Sequence, residues 1–192
     1  STALSVHRIR TILQIQKGGD RGRLYTLTSA SAGSGKTSMT VALGMSFASS
    51  GNRTLLIDCD MVGGDLSERL QTGAAGGSGV GILDACSGRE LGECVGKTDI
   101  PNLDVLPLGS ALAEDSSSLS PTGVAELFAR ARAAYDVILV DTGPTLGSVE
   151  SSLAAAHADG VLFILSRGED GHLAARALES LGLIGASVEG VV

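Results

Sequence analysis

Leu24-Tyr25-Thr26-Leu27-Thr28-Ser29-Ala30-Ser31-Ala32-Gly33-Ser34-Gly35-Lys36-Thr37 is an apolar strand, a loop of small residues and the start of a helix, closed by Gly-Lys-Thr. In that setting the loop is a phosphate cradle. Its small residues let successive backbone N–H groups turn inward on phosphate oxygens, while Lys36 neutralises β/γ oxygens and the Thr37 hydroxyl is placed to ligate Mg²⁺. The strand before and the helix after set it apart from a chance match on a Gly-rich chain. Gly33, Ser34, Gly35, Lys36, Thr37 and Ser38 are the candidate phosphate-binding residues.

Outward from the loop, Thr40 to Ser50 is a small-residue helical stretch that Ser50-Gly51-Asn52 ends with turn chemistry. Thr54-Leu55-Leu56-Ile57 then runs apolar into Asp58-Cys59-Asp60, and Val137-Ile138-Leu139-Val140 runs apolar into Asp141. Such uninterrupted runs are what strands buried on both faces look like. Between them, Gly73 to Gly81 reads as a mobile surface loop, with a lid over the site as its functional alternative. Two short helices are expected over Ile82 to Val95, a strand over Leu103–Leu106, a loop over Ala113–Ser120, and a helix from Pro121 to Ala134. Helix 148–157, strand 160–165, helix 170–182 and strand 187–192 complete the alternation. It predicts one α/β domain over 1–192, a mostly parallel central sheet flanked by helices in a P-loop NTPase fold, with ligand at the carboxyl ends of the strands.

The carboxylates at those strand ends set the chemistry. Mg²⁺ takes oxygen ligands, mostly water held by carboxylates, together with the Thr37 hydroxyl and phosphate oxygens. Asp141-Thr142-Gly143-Pro144 reads as a Walker B segment, the alternative being an aspartate that caps the following helix. In Asp58-Cys59-Asp60, one carboxylate can hold the metal shell while the other accepts a proton from an attacking hydroxyl. A turn-starting role for one of the pair, at Met61-Val62-Gly63-Gly64, is the alternative.

Composition narrows the class. Fourteen basic against 21 acidic residues give the 192-residue chain a net charge of −7, and no basic run exists, so a non-specific electrostatic grip on nucleic acid or anionic lipid is not expected. Cys59, Cys86 and Cys94 lack metal spacing and are odd in number, which fits a reducing cytosolic setting. No run reaches membrane-spanning length and no signal peptide is visible; beginning at Ser1 and ending at Val192 inside an apolar run, the sequence reads as part of a longer chain. Cys59 reads as a buried side chain on the strand face opposite the aspartates, with redox sensing as the alternative. His157 falls at a helix end, His172 near a helix start, and Tyr25 and Tyr135 in or beside core strands, where packing is their expected role.

The order of the phosphate loop, Leu55-Leu56-Ile57-Asp58-Cys59-Asp60, Pro101 to Gly109 and Tyr135 to Pro144 resembles the bacterial tyrosine kinases of exopolysaccharide and capsule synthesis, across nearly the whole chain. That family's fold is related to the partitioning and division-site ATPases, and its carboxylate pair after the second strand is called Walker A′. The resemblance implies an Mg-ATP-dependent protein tyrosine autokinase, with Asp58 and Lys36 catalytic and Thr37, Asp60 and Asp141 around the metal. Ala158 to Ile164 and Arg167-Gly168 resemble the family's last core strand and the loop near its adenine site. It further implies a membrane polysaccharide co-polymerase or adaptor segment as partner, fused or separate, a location at the inner face of the cell membrane, and possible homo-oligomers. The chain also departs from the pattern. Ala32 and Ser34 stand where the family commonly has Pro and an acidic residue, and Val62 and Gly63 where it has an arginine pair. On the N-terminal helix, Leu4, His7 and Arg10 occupy the positions of the ring-forming Glu and two Arg, which weakens ring formation. A nucleotide-switched partitioning-type ATPase and a catalytically degenerate ATP-binding regulatory domain are the alternatives; Ser31 stands where the switches carry a signature lysine.

Overall fold

The computed structural model of the chain describes residues 2–15, 21–63, 66, 69–70, 79–110 and 119–192. The elements are α1 (Thr2–Ile15), β1 (Arg23–Ser29), α2 (Lys36–Ser49), β2 (Thr54–Cys59), α3 (Ile82–Cys86), α4 (Leu91–Cys94) and β3 (Gly96–Lys97). They continue with β4 (Leu103–Leu106), α5 (Pro121–Ala134), β5 (Val137–Thr142), α6 (Val149–His157), β6 (Gly160–Ile164), α7 (Gly171–Leu183) and β7 (Val188–Val191). The seven strands order as β3-β4-β2-β5-β1-β6-β7, parallel except for β3 against β4. This is the expected α/β architecture. Most of the expected Gly73–Gly81 and Ala113–Ser120 loops lie outside the described residues.

Strand alternation sorts the core onto two faces. Leu24, Leu55, Ile57, Cys59, Ile138 and Val140 pack with Leu127 and Phe128 of α5, while Tyr25, Leu27, Leu56 and Leu139 pack with Leu43 and Phe47 of α2 and with Val6 and Leu13 of α1. Phe47 is essentially covered, so truncating it to Ala removes about 3–5 kcal/mol. A third group, Val161 and Phe163 of β6 with Ala174, Ala177 and Leu181 of α7, covers the other end of the sheet.

Helix α2 begins at Lys36, within the loop's closing Gly-Lys-Thr as expected, where Gly35 adopts a left-handed φ of 92° and turns the chain directly into the helix. One boundary moves from expectation and bears on the site. Strand β2 continues through Cys59, so Asp58 lies within the ladder rather than after it. Strand β3 was not anticipated: Gly-Lys carries no strand pattern, and its pairing to β4 is tertiary. With Lys97 on it, this two-residue strand also blunts the sheet edge.

Candidate nucleotide-binding site

Helices α5, α6 and α7 each start on a side-chain cap, Ser120, Ser148 and Asp170, which accept from the backbone N–H of Gly123, Ser151 and His172. Helix α2 starts on Gly35 and has none. Its first-turn N–H groups and the positive end of its dipole are thus left facing the loop, which is what an anion requires. Gly33, at φ 75°, and Gly35 supply the left-handed turns, while the Ser29 and Ser34 hydroxyls both donate to the Ser31 carbonyl, at 2.6 and 2.8 Å, and brace the loop. The cavity here, about 370 Å³, is lined by Gly33, Gly35, Lys36, Thr37 and Ser38, and by Asp60, Gly63 and Arg69 from beyond β2.

Register brings the carboxylates to this loop. Asp58 of β2 pairs directly with Asp141 of β5, and residues opposite one another in adjacent parallel strands project to the same face. That face is the one covered by α2, whose Thr40 hydroxyl donates to Asp141 Oδ1 at 3.2 Å. Asp58 is 0% exposed and Asp141 1%. Burial pushes the Asp141 carboxyl up to about 7; Asp58 and Asp60 push the same way, against the Thr37 hydrogen bond and the Lys36 charge. Two buried carboxylates side by side at an uncapped helix start form an oxygen-rich environment that a hard cation relieves. The residues therefore fit Mg²⁺, with Thr37 beside Asp141. Among the described residues no three His, Cys, Asp or Glu side chains gather to hold a metal by themselves, and Mg²⁺ commonly keeps most of its shell as water and phosphate.

Asp60 does what its alternative reading required: Oδ1 accepts from the backbone N–H of Val62 at 3.2 Å and of Gly63 at 2.9 Å, starting the turn after β2. It also lines the cavity, so the turn holds it at the site rather than removing it. Cys59 points into the opposite core, and burial pushes its thiol well up, so it is a packing residue there. Arg167 is exposed on the loop after β6 and does not line the phosphate cavity. That loop is nonetheless tied to the cradle, since Ser31 Oγ donates to Glu169 Oε1 at 2.5 Å. The hydrogen bonds from Ser31 and Ser166 hold the Glu169 carboxyl below its ordinary range.

Two further residues enter the site that no sequence pattern had singled out. Arg69 donates from Nη1 to Ser38 Oγ at 3.0 Å. Glu150, 6% exposed on the first turn of α6, faces Asp60 across Gly143: a Cβ at Gly143 would stand 3.4 Å from Asp60 Oδ1 and 3.6 Å from Glu150 Oε1. Neither belongs to a short motif, so only the fold reveals them. Larger concavities, of about 590, 460 and 390 Å³, lie around Arg21, Arg53, Arg132 and Tyr135, toward the amino ends of the strands. They lack the uncapped helix start and converging carboxylates, so chemistry rather than size locates the site.

The two tyrosines take the packing roles expected of them. Tyr25 is buried and donates to the Leu13 carbonyl, and Tyr135 donates to Asp104. His157 sits in the last turn of α6 edge-on to Phe128, and His172 is exposed. Leu4, His7 and Arg10 all fall on α1, where Arg10 bonds His7 and Gln14. Among the described residues no helix is long and apolar enough to cross a membrane.

A parallel sheet with a Gly-Lys-Thr loop at its carboxyl end, opening an uncapped helix against two buried aspartates, defines a P-loop ATPase fold. A family model described as an AAA domain matches residues 23–181, and the chain belongs to that family. Its relatives are tyrosine-protein kinases: Wzc of Salmonella typhimurium is 30% identical over 161 residues, 83% of this chain and 22% of Wzc. CpsD of Streptococcus agalactiae is 29% identical, over 83% of this chain and 68% of CpsD. The chain thus spans about a fifth of Wzc-type proteins. Among solved structures, the VpsO kinase domain superposes with a TM-score of 0.82 at 27% identity, covering 100% of this chain and 94% of that one. MinD of Pyrococcus horikoshii, complexed with Mg-ADP, gives 0.74 at 21% identity, over 88% of this chain and 69% of MinD, a likeness of fold alone.

Proposed function

We propose that this chain is the Mg-ATP-binding domain of a bacterial protein tyrosine kinase serving exopolysaccharide or capsule synthesis. The observation that carries the reading is the Asp58–Asp141 pair held in register beneath the uncapped start of α2. The names of Wzc, CpsD and the VpsO kinase domain supply the reaction class.

Lys36 and the first-turn N–H groups of α2 hold the phosphate chain, and Gly33 and Gly35 keep the backbone close enough to do so. Thr37 and Asp141, with Asp60 behind them, are the groups that would hold Mg²⁺, which when bound neutralises the β/γ oxygens. In the transfer, the acceptor tyrosine oxygen forms a bond to the γ-phosphorus as the bond from that phosphorus to the β–γ bridging oxygen breaks; ADP leaves and the phenolic proton passes to Asp58. Asp58 is fully buried, so the acceptor must reach it through an opening of the site. Arg167, on the loop tied to the cradle through Glu169, is assigned to the base end of the nucleotide. The reading places the domain at the inner face of the membrane beside a polysaccharide co-polymerase or adaptor segment, fused or separate, with nucleic acid no partner.

The partitioning-type switch is disfavoured because Ser31, at the signature-lysine position, is engaged by Glu169. The test is calorimetric titration of Mg-ATP and Mg-ADP into the wild type and Lys36→Met, which removes the charge and roughly keeps the stem. Affinity should fall sharply in the variant with the fold intact; equal affinities would sink the assignment of the loop.

A further inference from the structure

The phosphate cavity has a second cation besides Lys36. Arg69 lies beyond the β2 turn, yet its guanidinium reaches the first turn of α2 and donates from Nη1 to Ser38 Oγ at 3.0 Å. It lines the same cavity as Gly33, Gly35, Lys36 and Thr37. Among the described residues, Lys36 and Arg69 are the basic side chains lining that cavity, against Asp60 on its wall and the Asp58–Asp141 pair beneath. A nucleotide's phosphate chain brings several more negative charges to a site already acidic, more than one lysine and a single divalent cation offset beside three aspartates.

The turn itself cannot supply the missing charge. Val62 is uncharged and 84% exposed. Gly63 gives its N–H to Asp60, and a Cβ there would stand 2.8 Å from Asp60 Oδ2, so a longer side chain at 63 would displace that carboxylate. Arg69 is the guanidinium the chain brings instead. A planar fork of five donors suits phosphate oxygens and can bond several at once.

We infer that Arg69 is a phosphate-binding residue of this site, its guanidinium turning from Ser38 Oγ onto the phosphate chain when nucleotide enters. The inference rests on the nucleotide reading of the loop.

Calorimetric titration of Mg-ATP into wild type, Arg69→Ala, Arg69→Gln, Arg69→Lys and Lys36→Met tests it, with thermal melts of each ligand-free protein. Loss of one charged phosphate contact predicts an affinity about tenfold lower in Arg69→Ala. Arg69→Gln, which keeps a hydrogen-bonding amide but neither the charge nor the full reach, should lose nearly as much, and Arg69→Lys should recover part of it. The melts show that each variant is folded at the titration temperature, and the salt dependence of binding should be shallower in Arg69→Ala and Arg69→Gln than in wild type. Wild-type affinity in both these variants, with Lys36→Met impaired, would overturn the role of Arg69 while leaving the loop's assignment standing. Unchanged affinity in Lys36→Met, or no binding by wild type, would remove the nucleotide reading and this inference with it.

Discussion

Replacing Asp141 by Asn should make the ligand-free protein more stable and the nucleotide complex weaker. Burial, with Asp58 and Asp60 nearby, lifts the Asp141 carboxyl from an ordinary 3.8 to about 7. The folded state therefore binds this proton more tightly than the unfolded chain. Its stability is full below pH ~4, declines as pH rises from ~4 to ~7, and stays reduced above that. Roughly three pH units at about 1.4 kcal/mol each set an upper bound of ~4 kcal/mol on the penalty at pH 8. An amide can still accept from Thr40 but is itself polar and buried, so roughly half that gain, about 2 kcal/mol, is expected. For a chain of this size that is a rise of about 4–8 °C in Tm. Melts in EDTA at pH 8 and pH 5 check it: Asp141→Asn should melt above wild type at pH 8, and the gap should narrow at pH 5. The same variant should show a smaller Mg-ATP-induced rise in Tm. An Asn variant no more stable than wild type at pH 8 would refute the claim that the fold strains to hold this carboxylate for a cation.

Asp58→Asn should abolish phosphoryl transfer while leaving Mg-ATP affinity within about twofold, since the amide hydrogen-bonds but takes no proton; full transfer in a rate assay would exclude Asp58 as base. Gly35→Ala forces an L-residue to φ 92° in open space, so backbone strain alone should lower stability by about 1–2 kcal/mol in urea denaturation and weaken nucleotide binding. Burial works to raise the Asp159 carboxyl, but hydrogen bonds from Arg132 and the Leu24 N–H, with the Arg132 and Arg21 charges, hold it below its ordinary value. It therefore stabilises the fold above pH ~4 and loses that contribution as pH falls through its depressed value. Arg132 also donates to the Gly22 and His157 carbonyls, so Arg132→Ala should remove about 3–5 kcal/mol at pH 7, and the deficit should shrink in acid denaturation series.

The sheet was legible because its strands carry their signal locally. Val137–Val140 and Leu55–Ile57 are apolar on both faces, and the Gly-Lys-Thr loop between a strand and a helix has few other readings. Asp58, Asp141, Lys36 and Thr37 followed from those elements, because strand ends in a parallel sheet converge at one edge. What sequence could not order was anything fixed by tertiary contact. The turn that Asp60 starts is local and was foreseen as an alternative, but its position on the cavity wall depends on where β2 ends relative to α2. Arg69 has no fixed spacing from the cradle it reaches, and Glu150 matters through its approach to Asp60, which lies ninety residues earlier in the chain. The two-residue β3 escaped for the same reason.

Phosphoryl transfer to tyrosine tests the central claim most directly. The chain alone, and then with a tyrosine-rich peptide and the cytoplasmic segment of a membrane partner, is incubated with Mg-ATP labelled on the γ-phosphate, beside Asp58→Asn. The account predicts nucleotide binding with little self-labelling by the chain alone, since Tyr25 and Tyr135 are held in packing roles, and tyrosine phosphorylation of the added peptide that the partner segment increases and Asp58→Asn abolishes. Tight Mg-ATP binding with no transfer to tyrosine in the full mixture would contradict it and leave an ATP-binding regulatory domain in place of a kinase.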